Sequence, residues 1–409
     1  MWEQVRYNRT RTAMLIAGMG VVLLLLGIGL SIYIGGMYLM GENTLELNFF
    51  VICWIVASVV AYFQGDNIIL ALSQARKIGA HNLHRLYNIV EELKISSGLE
   101  TMPSIYVIED PALNAFAIGR DPNKAAVIVT TGLLTKLNRD ELQGVIGHEI
   151  AHIKNRDVLL MALCVLLMGP LSSIKFPAKL SWWVPFVCFL IPSILTIITI
   201  LSDWGLWLIF IFYLCGLIYA TPVITRLIYY DISRRREYLA DACSALYTRY
   251  PEGLASALEK IAASTDQVLA ASLITAPMYI VSPFRKKGMA ASDVSETHPP
   301  ISERIRILRA MAHASYAEYD RAYREVRGTE KSVLPAYATA LAGTAAIRPA
   351  LHDNLDHFQR ARETSNALWN ARNYGIINCA CGTRMRLPPS FKLTEVKCPH
   401  CGRINQVAT

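Results

Sequence analysis

The sequence predicts a multi-pass α-helical membrane protein that carries a cytoplasmic α+β domain, built from a small sheet and a metal-site helix, and ends in a small zinc ribbon. Three observations lead there. Five long apolar runs cover Ala13–Met40, Leu47–Phe63, Val158–Ile174, Trp182–Leu201 and Trp204–Leu227. A His-Glu-x-x-His motif at residues 148–152 follows three short β-rich segments. Near the C-terminus four cysteines stand as a C-x-C and a C-x-x-C pair.

The apolar runs come first in the chain. Hydrophobic residues make up 53% of the 409 and charged ones 18%, below the usual quarter or so of a soluble domain, and most of the runs meet or approach the roughly 20 residues a spanning helix needs. The first run is too long for a signal-peptide core and has no small-x-small exit before Gly41, so it reads as a retained anchor. Arg6, Arg9 and Arg11 precede it, whereas the loop "GENTLEL" holds two glutamates and no cation. Cations stay inside. The N-terminus and everything from Gln64 to Asp157 are therefore expected on the cytoplasmic side of a cell membrane, most simply a bacterial inner membrane. Cationic cytoplasmic loops also explain the net charge of +8, so nucleic acid is not an expected partner.

The α+β domain begins with helical periodicity over residues 67–96, where Leu83, Leu86, Ile89, Val90 and Leu93 recur at three and four. "PSIYVIED", "NAFAIG" and "AAVIVTTG" then read as three strands. The next helix opens at Asn138 with Glu141 three positions later, a capping-box pattern. On it, His148 and His152 lie one turn apart and can face one metal ion, while Glu149 sits about 100° around the helix, placed to take a proton from activated water. A catalytic zinc needs a third protein ligand. "SRRREYLADA" offers Glu237, with Asp241 four residues on and on the same face, suited to brace a ligand histidine from behind.

Together "GHEIAHIKNRD", "NAFAIG", "SRRREYLADA" and "THPPISERI" resemble the HtpX-type membrane zinc metallopeptidases, gluzincins related to the CAAX prenyl endopeptidases, in that family's order and over roughly residues 70–310. The resemblance implies a zincin-type catalytic domain, zinc held by His148, His152 and Glu237, and Glu149 as general base. It also implies that Asn114, Ala115, Phe116 and Ala117 form an edge strand to which a substrate peptide adds. By the same resemblance His298 stabilises the oxyanion and Arg304 supports it.

His148 and Glu237 must meet on one side of the bilayer, so an even number of crossings separates them, yet three apolar runs intervene. The loop after the first run holds Lys175 and Lys179, while "SDWG" between the other two holds an aspartate and no cation. Charge thus favours Trp182–Leu201 and Trp204–Leu227 as a hairpin and Val158–Ile174 as a buried extension of the metal-site helix. The resembling family usually places a span directly after its HExxH helix, which would instead make one later run re-entrant or interfacial.

A polar, helical stretch without evident chemistry leads to the tail. There Cys379 and Cys381 are separated by sixteen residues from Cys398 and Cys401, a spacing that fits one structural zinc on two knuckles. Thiolates that must stay reduced agree with a cytoplasmic tail. The expected organisation is a transmembrane hairpin over 1–66, catalytic parts over 67–157 and 231–312, a membrane-embedded insertion over 158–230, a helical linker over 313–374 and the ribbon over 375–409. The expected function is a membrane zinc endopeptidase that cuts membrane or unfolded proteins in quality control. A specific processing protease of the CAAX type, or a non-catalytic adaptor using the ribbon, are the alternatives, and nothing in the sequence fixes an oligomeric state.

Overall fold

The fold is known from a computed structural model, which describes residues 44–79, 82–158, 234–269, 298–339, 344–351 and 355–407, with isolated positions among 10–17 and 271–283. Helix α1 (Thr44–Leu72) presents Ile52, Val56, Val59, Val60 and Phe63 outward, and further along the same helix Ile69 is fully buried in the domain core. Among the described residues no helix is long and apolar enough to cross a membrane. The runs Trp182–Leu201 and Trp204–Leu227, with nearly all of Ala13–Met40 and of Val158–Ile174, lie outside the described residues, as does the hairpin expected there.

The helical stretch expected over 67–96 is two helices with a strand between them. After α1, Gln74 takes a positive φ of 51°, and the chain enters the two-residue strand β1 (Arg76–Lys77). Helix α2 (His84–Ser97) then buries Leu86, Ile89, Val90 and Leu93 on one face and ends on Gly98 in the left-handed conformation. The three expected strands follow as β2 (Ser104–Ile108), β3 (Ala115–Ile118) and β4 (Ala126–Thr130). The sheet order is β1-β2-β4-β3, with β2 and β4 parallel and the outer pairs antiparallel. The substrate-strand candidate β3 is thus at an edge.

Helix α3 (Thr131–Lys136) leads into α4 (Arg139–Asn155), which carries the HExxH residues. Its capping box forms: Asn138 Oδ1 accepts from Glu141 N at 2.9 Å and Glu141 Oε2 from Asn138 N at 2.8 Å. The continuation of this helix expected over Val158–Ile174 lies, after Val158, outside the described residues. Helix α4 stops at Asn155, and Arg156 turns the chain in the left-handed conformation at φ 57°, ψ 33°.

Helix α5 (residues 234–248) carries Glu237 and Asp241. It is followed by α6 (Pro251–Ala263), α7 (Ile301–Arg309) and α8 (Tyr316–Arg327). Two glycines let α4 approach these helices. A Cβ on Gly144 would lie 2.6 Å from Leu254 N of α6, and one on Gly147 would lie 3.0 Å from Ser244 Oγ of α5. The linker contains the short α9 (Ala336–Thr339), an extended stretch over 344–351, and α10 (His357–Ala371), which packs on α3. Two hairpins close the chain, β5 (Gly375–Asn378) with β6 (Arg384–Leu387) and β7 (Glu395–Lys397) with β8 (Ile404–Gln406).

Candidate metal centre

One turn of α4 separates His148 from His152, and their Nε2 atoms converge to 3.2 Å. Helix α5 brings Glu237 onto the same point, with Oε2 3.3 Å from His148 Nε2 and Oε1 3.5 Å from His152 Nε2. These separations test the site for a metal. Four ligands around zinc at about 2.0–2.1 Å stand roughly 3.3 Å apart along the edges of the tetrahedron; the separation of the histidines and the nearest approach of a Glu237 oxygen to each are close to that. Among the described residues buried Glu237 Oε2 has no hydrogen-bond partner, although orphaned buried carboxylate oxygens are costly. A cation between the three groups removes that cost, so the residues fit zinc.

Each histidine is held from behind by a carboxylate. Asp241 Oδ1 lies 2.9 Å from His148 Nδ1, the bracing geometry that the E-x-x-x-D spacing suggests. Asp157 Oδ2 lies 3.2 Å from His152 Nδ1. Sequence reasoning missed Asp157, which stands five residues after His152. It returns to the histidine only because Arg156 reverses the chain in the left-handed region. The available signal was a polar "KNRD" at the helix end followed at once by an apolar run.

Arg304 of α7 is fully buried and binds Asp241 in fork geometry, Nε to Oδ2 at 2.8 Å and Nη2 to Oδ1 at 2.7 Å. Burial pushes the Asp241 carboxyl up, but the charges and hydrogen bonds of Arg304 and His148 together outweigh it and hold the group below its ordinary range. Arg304 Nη1 also stands 3.6 Å from Glu237 Oε2. The guanidinium is thus placed behind the ligand pair.

Glu149 is 1% exposed and its Oε1 has no hydrogen-bond partner among the described residues. Burial raises its pKa from the ordinary glutamate value, against the pull of His148 and His152. That shift moves a carboxylate towards the neutral range in which a general base works best. His298 is also buried and hydrogen-bonds the Tyr279 backbone. Burial pushes its pKa below the usual histidine value, which keeps the ring neutral near pH 7.

The expected substrate strand is buried throughout, Ala115, Phe116 and Ala117 included. Asn114 is turned inward, with Nδ2 donating to Val281 O at 2.8 Å and Oδ1 accepting from Ala115 N at 3.1 Å. On the outer edge of β3, Ile280 N donates to Ala115 O at 3.0 Å, and Arg304 Nη1 donates to Ile280 O at 3.2 Å. Tyr279 packs edge-to-face on Phe116 with centroids 4.8 Å apart. The segment around Ile280 therefore links the edge strand to the arginine behind the metal ligands.

The four tail cysteines form a second cluster. Cys379 Sγ lies 3.5 Å from Cys401 Sγ, and Cys381 Sγ 3.7 Å from Cys398 Sγ. All four are free thiols. Those distances are far beyond an S–S bond and near the edges of a tetrahedron of zinc–sulfur bonds of about 2.3 Å.

An HExxH helix whose third ligand is a glutamate from a later helix is the arrangement of a zinc-dependent metallopeptidase. The comparisons make this specific: the chain belongs to peptidase family M48, whose family model matches residues 80–312. It is 38% identical over 315 residues to a protease HtpX homolog of Dictyoglomus thermophilum, covering 76% of this chain and 94% of that one. A protease HtpX homolog of Dictyoglomus turgidum is 39% identical over 277 residues, 66% of this chain and 83% of the relative. One from Streptococcus pyogenes is 34% identical over 316 residues, 76% of this chain and all of the relative. No solved structure matches the chain.

Proposed function

We propose that this metallopeptidase is an integral-membrane endopeptidase that cuts exposed or unfolded segments of membrane proteins on the cytoplasmic side, in protein quality control. The observation that carries the catalytic reading is the convergence of His148, His152 and Glu237 beside the buried carboxylate of Glu149. Zinc held by the three ligands would supply Lewis-acid activation of water and of the scissile carbonyl. Glu149 takes a proton from the attacking water and later passes it to the leaving amine. His298, close enough to Glu237 and Arg304 to feel their charges, is the candidate donor to the oxygen that gains charge, and Arg304 adds a fixed positive charge close by.

An extended peptide adds to the outer edge of β3. Thr130 N of β4 donates to Asn114 O at 3.0 Å, so alternation turns the backbone groups of Ala115 and Ala117 outward. Ile280 already holds Ala115, which leaves Ala117 as the pairing position. A lipid bilayer is supported by the five apolar runs and by the exposed apolar face of α1. We further propose that Cys379, Cys381, Cys398 and Cys401 hold a second, structural zinc. Arg386 of the ribbon stacks on Trp369 at 5.0 Å and bonds Asn366. That inward use of a ribbon cation favours a protein-facing module over a nucleic-acid surface.

The test is cleavage of an unfolded casein and of a membrane-protein substrate by the detergent-purified full chain with zinc. Glu149→Gln should retain zinc and lose roughly 10²–10⁴-fold in kcat, the usual weight of a general base. Equal cleavage by wild type and variant would sink the reading.

A further inference from the structure

The stretch 344–351 lies beyond the residues that the family model matches, yet it is bonded to both metal-bearing helices. Ala345 pairs with Ala314 in an antiparallel bridge. Ala346 O accepts from Arg249 Nε and Nη2 at 3.2 and 3.0 Å. Arg348 N donates to Arg249 O at 2.9 Å, and Arg348 Nε to Thr248 O at 2.9 Å. The same guanidinium reaches α4, with Nη2 2.7 Å from Asp140 Oδ1 and 2.7 Å from Gln143 Oε1. Leu351 N takes the other Asp140 oxygen, Oδ2, at 2.7 Å, and Tyr250 lies under the guanidinium at 4.9 Å.

Two physical reasons make this more than surface stapling. Thr248 O and Arg249 O are at the C-terminal end of α5, where carbonyls lose their helical partners and cations are favoured. Asp140 sits in the first turn of α4. Arg348 therefore places one partly buried guanidinium between the end of one metal-bearing helix and the start of the other. The interface between those helices also needs a brace. It is formed on Gly147 and by the bond from Ser244 Oγ to Gly144 O at 2.7 Å. A glycine face allows close approach but offers little side-chain interlock against sliding. Yet the 2.9 Å from Asp241 to His148 and the 3.3 and 3.5 Å from Glu237 to the histidines all cross that interface.

We propose that residues 344–351 are a clamp that fixes the register of α5 against α4, and that Arg348 is a positioning residue for the metal ligands. The proposal rests on His148, His152 and Glu237 being the ligands. In the full-length protein loaded with zinc, loss of zinc to a chromophoric chelator is followed in time, with His152→Ala identifying the active-site phase. Arg348→Gln should speed that phase by about tenfold or more and lower kcat similarly with KM little changed, while the ribbon phase keeps its rate. Arg348→Lys should fail to rescue, because one ammonium cannot span Asp140, Gln143 and Thr248 O. Asp140→Asn should reproduce the change from the other side of the clamp. A lower melting temperature with the active-site phase and kcat at wild-type values would make Arg348 merely stabilising and overturn the proposal. A wild type with no His152-dependent zinc would overturn the ligand reading itself.

Discussion

Arg304 is among the largest fully buried side chains, and its charge is matched by Asp241 and Glu237 rather than by water. A buried guanidinium is costly unless its donors are taken up. Here the pairing fixes the two carboxylates that determine how His148 and the metal meet. Glu237 and Asp241 were readable as a helical i, i+4 pair because their spacing is local. Arg304 could be reached only through family resemblance, since its partner lies 63 positions away. Asp157 left only the polar helix end as a signal, because its approach to His152 depends on the left-handed turn at Arg156. The residue-scale prediction follows from that contact. Asp157→Ala should weaken zinc binding by roughly 10–100-fold, as loss of a carboxylate behind a ligand histidine usually does. The variant should bind zinc more weakly in a competition titration while retaining its far-ultraviolet circular dichroism. An unchanged zinc affinity would mean that Asp157 only caps the helix end.

At the scale of elements, the three strands after α2 were visible as apolar runs bounded by turn residues. The capping box of α4 was visible as Asn138 and Glu141. Strand β1 was hidden, because two cationic residues carry no hydrophobic alternation and pair only when β2 is beside them. The packing role of Gly144 and Gly147 was hidden for a similar reason: it depends on which helices arrive opposite. The two glycines should fail differently. At Gly144 an added Cβ meets backbone, 2.6 Å from Leu254 N, which cannot move without shifting α6. Gly144→Ala should therefore cost on the order of 1–3 kcal/mol of stability, the usual penalty for overpacking. At Gly147 the Cβ meets the Ser244 hydroxyl at 3.0 Å, which can rotate away at the loss of its bond to Gly144 O. Gly147→Ala should be milder in denaturant melts. It should act mainly on kcat, because the strain falls on the helix that carries Glu237. A larger stability loss at Gly147 than at Gly144 would contradict this packing account.

For the whole molecule, the C-terminal extension looks from sequence like a linker with an appended module, because its contacts are polar and long-range. In the fold it wraps the catalytic domain. The clamp joins α4 to α5, Arg360 Nε of α10 donates to Thr135 O at 3.1 Å, and Arg372 pairs with Glu109 at the end of β2. The ribbon comes last and touches α10 through Arg386, on Trp369 and Asn366. This order of attachment separates two truncations. Removing 375–409 leaves the clamp in place and takes away the cysteine cluster with the Arg386 contacts to α10. It should lower the zinc content by one per chain, leave hydrolysis of an unfolded soluble substrate near the wild-type rate, and alter only substrates that the ribbon engages. Removing everything from residue 344 onward deletes Arg348 as well. It takes from Asp140, in the first turn of α4, both the Arg348 guanidinium and the Leu351 N–H that it accepts from. That truncation should lose zinc from the His148 site as well as from the tail. Metal content and casein hydrolysis measured on both forms decide the matter: equal retention of active-site zinc would show that the extension does not brace the metal centre.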